Sequence, residues 1–223
     1  MPKRDNRQAG FSLIEIAIVL VIIGLLIGGV LKGQTMVKNS KIKRMATDTT
    51  SVQGAVNSYM DSYWNLPGDD AGSATRWGTA AVAGDGDGII EGLFEPTAAN
   101  RVANAPASET ALAWNHLYCE NLVKGTCVGN AATTITFPMN SLGGLIGIAD
   151  GRNSGFLGLT QKMVCLRGIS TEYAMVYDTQ FDDGVGTTGQ IRGSANNVAT
   201  VAANDAQTAY ALANSNIYVC TEF

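Results

Sequence analysis

The sequence predicts an α+β protein in which one long N-terminal α-helix packs on an antiparallel, β-rich head. Three observations predict it. An uninterrupted apolar run fills residues 11–31. A helical stripe of apolar residues then continues to about Tyr63. Beyond Pro67 the chain turns glycine-rich, with short β-branched and aromatic runs and four cysteines.

At 223 residues, the chain is long enough for one sizeable domain plus an additional element. Four regions are expected: a leader over 1–10, a membrane-spanning half of the helix over 11–31, an amphipathic half over 32–65, and a globular head over 66–223. The leader carries Lys3, Arg4 and Arg7 against Asp5, a net of +2. The whole chain carries −4, so the remainder sits at −6. An acidic body of this kind has no bulk electrostatic reason to seek nucleic acid, and none is expected as a partner.

Residues 11–31 hold a single charged residue, Glu15. At about 1.5 Å per residue, 21 residues span roughly 30 Å, the thickness of a bilayer's hydrocarbon core. A cleaved secretory signal is shorter and ends in a small-x-small site, whereas Leu31-Lys32-Gly33-Gln34 follows here. A plain single-pass anchor fits the length but leaves Glu15 unexplained. An intramembrane carboxylate costs on the order of 3 kcal/mol, so such a residue is expected to be functional and partnered.

Gly10-Phe11-Ser12-Leu13-Ile14-Glu15 resembles the processing site of type IV prepilins and of the related pseudopilins of type II secretion. The resemblance covers about 50 residues, the basic leader and the helix, and the rest only in outline. It implies cleavage between Gly10 and Phe11 by a membrane-embedded prepilin peptidase, which also methylates the new amine of Phe11. It further implies that Glu15 acts in assembly. Each charge is costly alone in lipid, and pairing Glu15 with the amine of a neighbouring chain relieves both and sets their register. The implied partners are other pilins in a homo- or hetero-oligomeric filament and an inner-membrane assembly platform. The implied course starts as a single-pass inner-membrane protein, N-terminus cytoplasmic and head periplasmic. It ends in a pilus at the cell surface or a periplasmic pseudopilus. The leading reading is a minor subunit of a type IV pilus for adhesion, motility or DNA uptake; the alternative is a type II secretion pseudopilin. Glu15 argues against the tip-most pseudopilin of that family, which lacks it, and a mature length of 213 residues exceeds that of typical major pilins.

The leader's cations agree with a cytoplasmic N-terminus, but Lys32, Lys38, Lys41, Lys43 and Arg44 follow the span and outnumber them. These five are read either as headgroup-facing or as meeting acidic surfaces of neighbouring subunits. Past them, Ile42, Met45, Val52, Val56, Tyr59 and Tyr63 recur at helical spacing, ready to lie on a sheet. Pro67-Gly68 ends the helix. Continuous from Phe11 to Tyr63, it is roughly 80 Å long. Gly24, Gly28, Gly29 and Gly33 inside it suit close helix–helix contact, or, by the resemblance, local unwinding on assembly.

In the head, Gly84-Asp85-Gly86-Asp87-Gly88 with Glu91 offers alternating oxygen ligands on a tightly turning loop, the chemistry that suits calcium. Asp69 and Asp70 in Leu66-Pro67-Gly68-Asp69-Asp70 complete the shell if the two segments meet. Solvated Asp/Gly turns are the competing reading. A second acidic turn spans Asp178, Asp182 and Asp183, and by the resemblance some pseudopilins bind calcium near a comparable loop. Strands are expected at Thr133–Phe137, Lys162–Arg167, Tyr173–Asp178 and Ile217–Cys220, and a short helix from Ser108.

Cys119, Cys127, Cys165 and Cys220 form an even set without C-x-x-C, which points to two disulfides in an oxidising compartment; three connectivities are open. Cys119 and Cys127 are near enough in sequence for a small loop. The resemblance then implies a Cys165–Cys220 bridge pinning the C-terminal strand. Closing the 54 residues between them stabilises by roughly 4 kcal/mol in the loop-entropy model. Phosphate-loop, zinc-protease and nucleophile-elbow motifs are absent, and His116 is the sole histidine, expected to be satisfied or at the surface. No enzymatic activity is expected.

Overall fold

The computed structural model describes residues 12–78, 81–92, 108–128, 135–154, 156–194, 210 and 216–223. In chain order these form α1 (Leu13–Tyr63), α2 (Ser73–Trp77), α3 (Glu109–Cys119), β1 (Ile146–Asp150), α4 (Gly151–Ser154), β2 (Lys162–Ile169), α5 (Thr171–Phe181), β3 (Ile191–Gly193) and β4 (Ile217–Glu222). The fold is α+β. Two compact units divide the chain, 1–40 and 41–223.

The first unit holds the apolar part of α1. Its large apolar side chains from Leu13 to Val37 are exposed. The second unit begins within α1, where Ile42, Met45, Thr49, Val52, Ala55, Val56 and Tyr59 become buried. Their spacing of threes and fours puts them on one face. Tyr63, the last member of the stripe, is half-buried.

That face joins one core with Ile146, Ile148, Val164, Leu166, Ile169, Val219 and Ile191 of the sheet. The sheet is antiparallel throughout, in the order β1-β2-β4-β3. Strand side chains alternate between faces, so Met163, Cys165, Tyr218 and Cys220 line the other side with Phe156, Leu157 and Leu159. Being covered on both faces explains why Lys162–Ile169 reads as a near-continuous apolar run. Cys165 lies directly opposite Cys220 in the register and is bonded to it, which ties the C-terminal strand to the middle of the sheet. The second bridge joins Cys119 to Cys127 just past α3.

Two expected strands are not strands. Thr171–Phe181 is a helix, α5, whose buried Thr171, Ala174, Tyr177 and Asp178 keep a 3.6 period. Its Tyr, Val and Thr content suggested β-structure, but spacing decides over propensity when one face is buried. Of Thr133–Phe137, residues 133 and 134 lie outside the described residues. Ile135 and Phe137 are buried without joining the ladder, and the Thr136 carbonyl accepts from the Tyr118 hydroxyl at 2.7 Å. Conversely, β1 and β3 were not foreseen. The glycines around Gly143-Gly144 and Gly147 hid the first, and β3 is only three residues long.

Candidate functional site

Among the described residues, polar chemistry is concentrated in the N-terminal segment and in two acidic knots of the head. Gly10 and Phe11, the expected cleavage and methylation residues, lie outside the described residues. From Leu13 the chain is helical, and an 18-residue window of α1 has a mean hydropathy of 2.9 with none of it buried. Glu15 stands alone among these side chains. Its Oε2 accepts the Ser12 N–H at 2.8 Å, which makes Ser12-Leu13-Ile14-Glu15 half of a capping box. This local role was not read from the sequence, although the S-x-x-E spacing signals it. A carboxylate in a helix's first turn is favoured by about 0.3–1 kcal/mol. That falls short of the roughly 3 kcal/mol needed to hold it in hydrocarbon. Capping alone does not cover that cost.

In the head, Pro67-Gly68-Asp69-Asp70 and the 84–91 loop do meet. Gly68 adopts φ +97°, and a Cβ there would run into the Glu109 carbonyl; one on Gly84 would strike the backbone of Gly68 and Asp69. Both glycines are thus required by close backbone approach. Asp69 accepts N–H groups of Gly86 (2.7 Å), Asp87 (3.0 Å) and Gly88 (2.8 Å). Glu109, the first residue of α3, accepts the N–H groups of Asp85 (3.2 Å) and Glu91 (2.9 Å). Ser108 makes no side-chain cap bond to α3.

Carboxylate oxygens of Asp69, Asp85 and Glu109 lie within 4.8 Å of one another. Burial pushes the Asp69 carboxyl up and lifts Glu109 to about 6. Of the expected set, Asp69 and Asp85 converge, joined by Glu109. Asp70 is turned away to the Arg76 guanidinium and the Tyr59 hydroxyl. Asp85 and Asp87 accept the amides of Asp87 and Ile89. The Glu91 side chain is exposed. Both oxygens of Asp69 and of Glu109 accept amides. The second group, Asp178, Asp182 and Asp183, is likewise occupied. It accepts from Gly184 N–H, the Tyr210 hydroxyl, Ile191 N–H, Val185 N–H and the Thr188 hydroxyl. Both knots close on protein donors.

His116 is fully buried beside the first knot. Gly68 N–H donates to its Nδ1 at 2.9 Å, so Nε2 carries the proton and donates to the Val82 carbonyl at 2.8 Å. Burial lowers its pKa to about 4. Both nitrogens are committed to holding two backbone segments, and neither is available as a catalytic base. The ordinary value is about 6.5, so the stability this residue contributes is whole above pH 6.5 and is lost as pH falls towards 4. The loss is on the order of 3 kcal/mol. Glu109, shifted upward, binds its proton more tightly in the fold and offsets part of that loss between about pH 6 and 4.5. With one histidine in the chain, NMR gives a single imidazole titration. Its midpoint is expected near pH 4; a midpoint near 6.5 would contradict the buried assignment.

Comparison with known proteins places the N-terminal segment. Residues 5–31 match the family model described as the prokaryotic N-terminal methylation motif. No curated protein and no solved structure matches the chain.

Proposed function

From a chain whose N-terminal segment is that of type IV prepilins, the precursor of a pilin or pseudopilin, we propose a structural, minor subunit of a type IV pilus. Prepilin peptidase cuts it between Gly10 and Phe11 and methylates the Phe11 amine. Before assembly it is a single-pass inner-membrane protein with its head on the periplasmic side. An assembly platform then adds it, with other pilins, to a filament serving adhesion, motility or DNA uptake. Glu15 pairs with the amine of a neighbouring subunit as it enters.

The observation that carries this reading is the exposed apolar surface of Leu13–Leu31 with Glu15 as its only charge. Such a surface is stable only in lipid or against like helices, and the carboxylate needs a cation. N-terminal mass spectrometry of sheared surface material tests it. The mature chain is expected to start at Phe11 and to be one methyl group heavier at its amine. A chain starting at Met1 would refute processing. Finding the processed chain only in the periplasm, with loss of exoprotein release on deletion, would assign it to a secretion pseudopilus instead.

A further inference from the structure

We propose that the outer face of α5 and the acidic turn after it receive the basic stretch Lys32–Arg44 of a second copy of this chain. The inference rests on the filament reading and names which surface meets which segment within it.

Charge is divided unevenly along the chain. Residues 32–44 carry Lys32, Lys38, Lys41, Lys43 and Arg44 and no acid, whereas residues 45–223 carry seven cations against seventeen acids, a net of −10. Five cations just beyond a membrane span on its translocated side oppose the insertion preference of the chain. Their presence calls for a contact that uses them. Arg44 reaches Asp48 at 3.8 Å on the same helix; Lys32 and Lys43 are exposed.

The receiving surface has the opposite charge and the same apolar admixture. Met175 and Phe181 of α5 and Val185 after it are 38%, 50% and 45% exposed. The carboxylates of Asp182 and Asp183 follow in the same stretch, half-buried and exposed, whereas Asp178 is buried. Arg192 acts on Asp183 through its charge, but its guanidinium donates to the carbonyls of Leu157, Gly158 and Gly189. Beyond Arg192 the chain contains no Lys or Arg. In the basic stretch, Met36 and Val37 are 65% and 58% exposed between Lys32 and Lys38. The two segments therefore match in both charge and apolar content. The 84–91 loop is a poorer receiver, because the cleft beside it is lined by Arg152 and Lys162. Anionic lipid headgroups would attract the cations but would give the α5 surface no role.

The test uses the full chain in its native cell, reading sheared filaments. Lys32→Glu with Lys43→Glu, and separately Asp183→Lys, are each expected to lower filament yield at least about tenfold. Combining all three is expected to restore most of it. Because Asp183 also holds its own turn, a second measurement avoids that residue. Lys43→Cys with Phe181→Cys is expected to give intermolecular disulfides in filaments, with neither single variant doing so. Normal yield from the lysine reversals overturns the proposal. So does loss without rescue and without the cross-link, which leaves lipid headgroups as the partner of the cations. Absence of the wild-type chain from any filament would instead sink the filament reading itself.

Discussion

Glu15→Ala is expected to cut incorporation into filaments by roughly a hundredfold while leaving the unfolding of the head unchanged. An unpaired charge in hydrocarbon costs on the order of 3 kcal/mol, and each 1.4 kcal/mol is about tenfold in an equilibrium. Removing the carboxylate leaves the amine of the neighbouring chain without its partner, so the deficit appears at assembly. The buried stripe of α1 begins only at Ile42. The local cap to Ser12 N–H offers the competing explanation, and Glu15→Gln separates the two. Glutamine still accepts that N–H through its amide oxygen but carries no charge. If pairing is the function, Glu15→Gln fails nearly as badly as Glu15→Ala. If Glu15→Gln assembles like wild type, the carboxylate serves only to start the helix. The readout is filament yield, with detergent-extracted protein checked for an unchanged melting transition.

What was legible in the sequence is what depends on near neighbours. The end of α1 at Tyr63 followed from Pro67-Gly68, and its buried face from spacing alone. β2 and β4 were visible because each is a short, dense apolar run bounded by turn residues. A meeting of the Leu66–Asp70 and 84–91 segments was posed as the condition for a shared shell, with solvated Asp/Gly turns as the competing reading, and the segments do meet. What escaped was set by contacts distant in sequence. Glu109 reads as a helix-start residue, yet its oxygens are taken by amides of Asp85 and Glu91. His116 reads as unremarkable on a short helix, yet it bolts Gly68 to Val82. Asp70 was grouped with Asp69 as a ligand, but the two carboxylates point to different partners, one to the loop amides and one to Arg76. Adjacent residues of a turn face apart, and composition carries no sign of which way each faces.

That division makes Asp70 the residue on which the junction between α1 and the head depends most. Its carboxylate is fully buried and ion-paired with Arg76. It accepts the Tyr59 hydroxyl at 2.6 Å and the Gly72 N–H at 2.8 Å. Arg76 in turn donates to the Tyr59 hydroxyl at 3.2 Å and lies over the Tyr63 ring at 4.0 Å. Tyr59 stacks on His116, with centroids 6.1 Å apart. One carboxylate thus holds the last turns of α1, the 70–76 segment and, through Tyr59, the ring of His116. Asp70→Ala strands a guanidinium and a hydroxyl at once, and breaking a buried pair in this way costs about 3–5 kcal/mol. A domain's whole stability is about 5–15 kcal/mol, so the variant is expected to be largely unfolded at temperatures the wild type tolerates. Tyr59→Phe removes only one hydrogen bond and is expected to cost about 1 kcal/mol. Asp70→Asn, which keeps an acceptor for Tyr59 but loses the charge, should fall between them. Denaturant unfolding of the full chain in detergent, followed by tryptophan fluorescence, reads all three. A change within about 0.5 kcal/mol for Asp70→Ala, the range of ordinary surface substitutions, would mean that the Arg76 pair is solvated and the junction is held by its apolar stripe alone.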